Sequence, residues 1–111
     1  MTKLMTNELA RIFCEHPIGS QSECGMDAVV IAKFYNPIGS DVWLITEAHR
    51  KGDGDWLLWG YVRQDCQWAW MYTTISAIES IELPFGLTVE RACNLFERTV
   101  KEHIKEEDYY L

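Results

Sequence analysis

Hydrophobic residues near the amino terminus recur at helical spacing and predict a short first helix. Leu9, Ile12 and Phe13 fall on one helical face, and Thr6 stands where a side chain can cap the first turn. Pro17 disfavours helical backbone in the residue before it, so the helix should end there. The stretch 16–25 that follows is polar and contains glycine, which predicts a surface loop.

The middle of the chain changes to runs of β-branched and aromatic residues, which favour strands. The polar, glycine-bearing segment 49–55 separates two of these runs and predicts an antiparallel hairpin. Four strands are predicted, at 28–35, 42–47, 56–63 and 68–73.

Beyond the fourth strand the pattern returns to helical spacing. Ser76 and Glu79 have the spacing of a capping box, which predicts a short helix that ends at the turn 84–86. A terminal helix with Glu97, Glu102 and Glu106 on its solvated side is favoured by the recurrence of Val89, Cys93, Phe96, Val100 and Ile104. A strand over 88–96 remains an open alternative. The prediction is one α+β domain over 1–111, with helices packed on a four-stranded antiparallel sheet.

Strand alternation predicts two different faces for this sheet, because successive side chains point to opposite sides. The predicted apolar face carries Val30, Ala32, Phe34, Val42, Leu44, Trp56, Leu58 and Val62. The predicted mixed face carries Ile31, Lys33, Tyr35, Trp43, Ile45, Glu47, Trp59, Tyr61 and Arg63, joined by Trp68, Trp70 and Tyr72 if the fourth strand has that register.

Aromatic rings beside charged side chains are typical of protein-binding surfaces, where rings supply buried area and charges supply specificity. All five tryptophans lie within 43–70, which concentrates this signal in the sheet. The predicted partner-binding residues are Lys33, Tyr35, Trp43, Glu47, Trp59, Tyr61, Arg63 and Trp70, with Glu106, Glu107 and Asp108 of an acidic tail that steers association. The alternative is that the terminal helix covers this face.

The overall charge limits the kinds of partner. Seventeen acidic residues against ten Lys and Arg give a formal charge of −7, which argues against direct binding to a phosphate backbone. The segment 1–13 is broken by charged residues and is neither a signal peptide nor a membrane span. We therefore expect a cytoplasmic protein that binds another protein and neither nucleic acid nor a membrane directly.

Candidate chemistry in the sequence is weak. Cys14, His16 and Cys24 lack the short paired spacing of a zinc site, and the glycine-bearing acids at 53–55 lack the remaining ligands of a calcium loop. Glu79, Glu82 and Glu90 could include a general acid and base pair, but the role we expect for these acids is at solvated helix ends. No nucleophile elbow or phosphate loop is present in the sequence, so we expect no catalytic residues, no metal and no cofactor.

Three strings, 43–47 (WLITE), 55–61 (DWLLWGY) and 78–87 (IESIELPFGL), the last followed by Glu90 and Arg91, resemble domain-of-unknown-function family 2958 over about residues 4 to 100. The resemblance implies a small accessory protein of a bacterial plasmid, integrative element or phage, and it carries no assigned catalytic residues. We expect Glu90 and Arg91 to be structural, with Arg91 pairing with a carboxylate or with carbonyl groups near the Pro84 turn.

The sequence thus favours a noncatalytic protein-binding accessory protein of a mobile element. Its sharpest form is an inhibitor of a host defence system, of the anti-CRISPR or antirestriction type, acting on a nucleic-acid-binding defence protein. Two alternatives stay open: a small enzyme or metal-dependent hydrolase in plasmid maintenance, and a structural subunit of a larger complex.

Overall fold

One antiparallel sheet organises the part of the chain that the computed structural model describes, residues 4–92 and 98–109. Its strands are β1 (Ala32–Tyr35), β2 (Val42–Arg50), β3 (Trp56–Gln64), β4 (Gln67–Thr74) and β5 (Glu90–Arg91). They lie in the order β4-β3-β2-β1-β5, and every neighbouring pair is antiparallel. The predicted α+β class and antiparallel sheet are confirmed, with five strands in place of four.

Helices cover both faces of the sheet. They are α1 (Asn7–Glu15), α2 (Ile75–Glu79) and α3 (Val100–Tyr109). The predicted cap of α1 is confirmed, since the Thr6 side chain accepts the Leu9 N–H at 3.1 Å. Within the described ranges no helix is long and apolar enough to span a membrane.

The capping prediction for α2 was wrong by two residues. Thr74 caps this helix and accepts the Ala77 N–H at 3.1 Å. Ser76 lies inside the helix, where its hydroxyl and its N–H both donate to the Asp55 carboxylate. The sequence pattern does not identify Thr74 as the cap, because this residue also ends β4 and so closes a strand and opens a helix.

The terminal helix is shorter than its apolar periodicity predicted. Glu90 and Arg91 form β5, paired antiparallel with β1, so the open alternative of a strand is the correct one here. Helix α3 begins at Val100. Cys93, Phe96 and Glu97, which were assigned to the same helix, lie outside the described residues.

The main core lies between one face of the sheet, here called the core face, and helices α1 and α2. Leu9 and Phe13 of α1 and Ile75 and Ile78 of α2 pack there. The sheet contributes Ala32, Phe34, Trp43, Ile45, Ala48, Trp56, Leu58 and Val62. A smaller cluster on the opposite face, here called the second face, joins Val42 and Leu44 to Ala28, Val30, Val100 and Ile104.

The side-chain directions predicted for β2 were therefore wrong. Val42 and Leu44 lie on the second face, whereas Trp43 and Ile45 lie in the main core. The same exchange affects Val30, which joins the second-face cluster, and Ile31, which joins the main core. The four residues from Val42 to Ile45 are all apolar and all buried, so their hydrophobicity shows no alternation from which a face could be chosen.

A β-bulge at Thr46 changes the face on which later β2 side chains lie. Ile45 pairs with Gly60 and Glu47 pairs with Trp59, so Thr46 is the extra residue. Gly60 permits the close approach of the two strands, because a Cβ there would lie 2.2 Å from the Leu44 carbonyl oxygen. The bulge explains why Glu47 shares the second face with Trp59 although Trp43 does not.

The turn after α2 holds a phenylalanine in an unfavourable backbone conformation. Phe85 has φ 63° and ψ 24°, in the left-handed region, and its side chain is 93% exposed. The Leu83 N–H donates to the Leu87 carbonyl at 3.1 Å, which holds the turn closed. Phe85 therefore bears a conformational cost that its own burial does not offset.

We expect Phe85→Gly to stabilise the protein. Relief of about 1–2 kcal/mol of left-handed strain should exceed the added chain entropy of glycine, for a net gain of about 0.5–1 kcal/mol. Phe85→Ala is the matched control, since it removes the ring but keeps the Cβ and should give no gain. Urea unfolding measures both, and equal stability of the two variants would contradict the assignment of strain.

Candidate functional site

Five aromatic side chains form a continuous strip on the second face, across β3 and β4. We call Trp59, Tyr61, Trp68, Trp70 and Tyr72 the aromatic strip. Strand register builds it, because Trp59 lies opposite Tyr72 and Tyr61 lies opposite Trp70. Strand β4 is an edge of the sheet, so the strip borders an open strand.

The rings of the strip pack mainly against one another. Trp59 stacks on Trp70 with ring centroids 5.7 Å apart, and Tyr61 stacks on Trp68 at 5.1 Å. Tilted contacts at 4.6 Å and 5.0 Å join Trp59 to Tyr72 and Tyr61 to Trp70. The Arg63 guanidinium lies 5.2 Å from the Trp68 ring and ends the row. The strip thus presents a preorganised apolar surface, much of whose ring-face area is already in contact.

Helix α3 covers the strip only in part. Ile104 packs in the same cluster as Tyr61, Trp68 and Trp70, so the helix lies beside these rings. Tyr72, at the other end of the strip, is 57% exposed. The terminal helix therefore covers one end of the mixed face, beside Ile104, and leaves the Tyr72 end exposed.

The predicted placement of Trp59, Tyr61 and Arg63 opposite the main core is confirmed. Leu58 and Val62, which alternate with them, lie in the main core. The placement of Trp43 was wrong, because this ring is 2% exposed and packs in the main core. Trp68 and Tyr72 were not chosen as site residues, although alternation with the chosen Trp70 was sufficient to find them.

Glu47 lies on the second face but is buried beneath the loop after α1. Its carboxylate accepts the Gly19 N–H at 2.7 Å and the Gln21 N–H at 3.1 Å, with the Ser22 hydroxyl at 3.4 Å. Its residue is 2% exposed. These contacts engage Glu47 within the fold, so it offers little surface to a partner.

Glu106 and Glu107, two of the three acids predicted to form a steering tail, belong to α3 and are engaged within the chain. Glu107 forms ion pairs with Lys33 and Arg63, and Glu106 pairs with Arg98. The side chain of Asp108 lies outside the described part of the structure. The structure therefore brings Lys33, Arg63 and Glu107 together beside Tyr35, apart from the exposed end of the aromatic strip.

Arg91 contacts a different element from the one predicted. Its Nη1 donates to the Thr6 hydroxyl at 3.3 Å, at the cap of α1, and within residues 4–92 and 98–109 it has no hydrogen bond to the Pro84 turn. The Tyr35 hydroxyl donates to Glu90 at 3.4 Å. Through these contacts β5 joins the sheet to the start of α1, and the structural role of the pair stays a prediction.

Two carboxylates outside the strip have lowered pKa values. Burial opposes ionisation of Asp55, but hydrogen bonds from the Ser76 hydroxyl and from the Trp56 and Ser76 N–H groups together hold its pKa below the ordinary value. Hydrogen bonds from the Thr99 N–H and hydroxyl lower the pKa of Glu102. Both acids are therefore ionised at neutral pH and cannot donate protons there.

His103 is the most unusual ionisable group on α3. It is 1% exposed, and neither ring nitrogen has a hydrogen-bond partner among the described residues. Burial lowers its pKa, and Lys33 and Arg98 lower it further, against the opposite influence of Glu106 and Glu107. His103 is consequently held in its neutral form.

The described ranges contain no group of three or more His, Cys, Asp or Glu side chains placed to hold a metal ion. Cys14, Cys24 and Cys66 are exposed free cysteines. The structure thus contains a preorganised aromatic surface, built from rings on two adjacent strands and bordered by an arginine.

This architecture defines an α+β domain with an aromatic strip at the open edge of its sheet. The chain belongs to DUF2958, a family described as protein of unknown function, whose model matches residues 4–104. No curated protein and no solved structure matches the chain. The family assignment agrees with the resemblance in the sequence and assigns no activity.

Stability should decrease as the pH falls below about 6.5 in a way that depends on His103. Because the folded pKa lies below the unfolded one, the unfolded state binds the proton first, so stability is lost as pH decreases toward the folded pKa. His103→Leu should reduce this loss as the pH is lowered from 6.5, as measured by urea unfolding. His49→Leu, at an exposed position, is the control. The same pH dependence in both variants would refute the prediction.

Glu47→Ala should destabilise the protein by about 3 kcal/mol, because two backbone N–H groups lose a buried charged acceptor. Amide hydrogen exchange should show lost protection at Gly19 and Gln21. Glu23→Ala, in the same loop but exposed, should change neither quantity. Retained protection in Glu47→Ala would show that the carboxylate does not hold the loop.

Proposed function

We propose that this protein is a noncatalytic module that binds another protein through the aromatic strip. The observation that carries the proposal is an apolar surface of five ordered rings at an open sheet edge, with Tyr72 at 57% exposure. Rings held by their neighbours lose little side-chain entropy when a partner covers them. Such preorganised aromatic residues are enriched among the residues that dominate binding energy.

Packing within the strip favours a protein partner over a stacked base or sugar. Trp59 and Tyr61 are stacked on Trp70 and Trp68, so these rings have less free face to offer to a planar ligand. Their exposed parts instead suit apolar side chains of a partner. Backbone groups on the outer side of β4 can add hydrogen bonds to an extended partner segment.

Charge suggests the class of partner. The formal charge of −7 disfavours nucleic acid as a direct ligand and favours a protein with a basic surface. In its sharpest form the proposal is an accessory protein of a mobile element that inhibits a nucleic-acid-binding defence protein. The charge balance and the aromatic strip support this form, and the setting comes from the sequence resemblance.

The test begins with capture of the partner from host lysate and continues with purified proteins. Tyr72→Ala and Trp70→Ala should each speed dissociation by about tenfold or more, since central aromatic contacts commonly contribute 2 kcal/mol or more. Phe85→Ala is the matched control, because it removes another exposed ring from the turn after α2. Surface plasmon resonance measures the rates.

Salt separates steering by charge from anchoring by the rings. Association should slow as ionic strength rises, because exposed charges are screened beyond about 8 Å near physiological salt. Dissociation of the wild-type complex should change less. Turnover of a small substrate by metal-free protein, together with unchanged dissociation in Tyr72→Ala and Trp70→Ala, would reject the proposal in favour of an enzyme.

A further inference from the structure

A cleft of about 560 Å³ opens beside the β1–β2 turn, between the end of α3 and β5. Lys33, Arg63 and Arg91 bring positive charge to its wall, and Asp41 and Glu107 bring negative charge. In a chain of net charge −7, three cationic side chains line this one cleft, against the overall charge of the protein. The cleft lies apart from the exposed Tyr72 end of the aromatic strip.

Arg63 is buried in this wall with part of its hydrogen-bonding capacity unused. The residue is 3% exposed, and its Nε donates to the Ser40 carbonyl at 2.6 Å. Its Nη2 donates to Glu107 at 3.3 Å, whereas Nη1 has no partner among the described residues. A buried guanidinium N–H without an acceptor is costly, so the site favours a further oxygen atom near Nη1.

The carboxylate of Glu107 is an oxyanion of the protein itself, and it is held by the cations of the cleft. One of its carboxylate oxygens accepts from Lys33 and the other accepts from Arg63. The Glu107 side chain is 20% exposed and comes from the last turns of α3. Lys33 and Arg63 therefore share one internal carboxylate. With Arg91, the cleft has three cationic side chains against the two carboxylates Asp41 and Glu107, which leaves positive charge that a second anion can use.

Other ion pairs of the described chain have a different arrangement. Arg98 pairs with Glu106, and Lys51 pairs with Asp53 on the surface at 3.8 Å. Each of these contacts joins one cation to one carboxylate, and both cations are more exposed than Arg63. The cleft thus differs in burial, in the number of cations and in its unpaired donor.

We propose that this cleft is a binding site for a small oxyanion with carboxylate or phosphate chemistry. The ligand occupies the cleft between Lys33 and Arg63 by displacing the Glu107 carboxylate, because Arg63 Nη1 is buried and is reached only when Glu107 moves aside. Asp41 on the wall and the net charge of −7 exclude a large polyanion by repulsion. Because Glu107 ties α3 to the sheet, anion binding loosens the end of that helix.

The test titrates the isotope-labelled full chain with sodium phosphate and, separately, with sodium acetate at constant ionic strength. We expect saturable NMR shifts of the Arg63 Nε–H and of the Ser40 and Val42 amides. Saturation by phosphate alone, by acetate alone or by both identifies which oxyanion source the cleft accepts. Equal, unsaturable shifts with sodium chloride would reject the site.

Variants separate the cleft from general charge effects. Lys33→Met should weaken binding about tenfold, and Glu107→Gln should tighten it about tenfold by removing the competing carboxylate. Lys101→Met, at an exposed position on α3, is the matched control and should leave the affinity unchanged. Unchanged affinity in Lys33→Met, or a loss equal to it in Lys101→Met, would overturn the proposal.

A folding control keeps the result decisive. If Glu107→Gln does not fold, Lys33→Met and Lys33→Arg decide the question, with the arginine variant expected to retain binding because it keeps the charge. An equal loss in both Lys33 variants would count against recognition by charge. Failure here leaves the aromatic-strip proposal intact, since that proposal is tested by partner dissociation.

Discussion

Burial of β2 on both faces is the constraint on which the rest of the structure depends. Helices α1 and α2 pack on one side of this strand, and the cluster around Val100 and Ile104 packs on the other. The bulge at Thr46 and the missing side chain of Gly60 allow β2 to pair closely with β3 while its side chains pack into the clusters on both faces of the sheet. Without that shift, Glu47 would point into the main core, where its carboxylate would be buried among apolar side chains without a hydrogen-bond donor.

Local signals in the sequence predicted much of the fold. The cap at Thr6, the spacing of Leu9 and Phe13 and the alternation of β3 each depend on neighbouring residues, and the structure agrees with them. The faces of β2 could not be predicted in this way, because Val42 to Ile45 are all apolar and either register buries hydrophobic area. The position of Thr46 in a bulge depends on tertiary packing that no local pattern contains.

In the candidate site, too, local patterns predicted some residues correctly, and tertiary contacts decided the others. Alternation placed Trp59, Tyr61 and Arg63 correctly, because β3 has one clear apolar face. Glu107 forms ion pairs with both Lys33 and Arg63. These three residues are far apart in sequence, so their spacing could not indicate the contact. Internal pairing of this kind also explains why a count of charges overstates the acids available to steer a partner.

The short strand β5 has a consequence for how the chain folds. Strands β1 to β4 are sequential neighbours joined by turns, whereas β5 brings Glu90 to Tyr35 across 55 positions. Closing so long a loop costs more chain entropy than forming a hairpin, and contacts of long sequence separation slow folding. We therefore expect the meander to assemble first and the seam between β1 and β5 to close late, followed by α3.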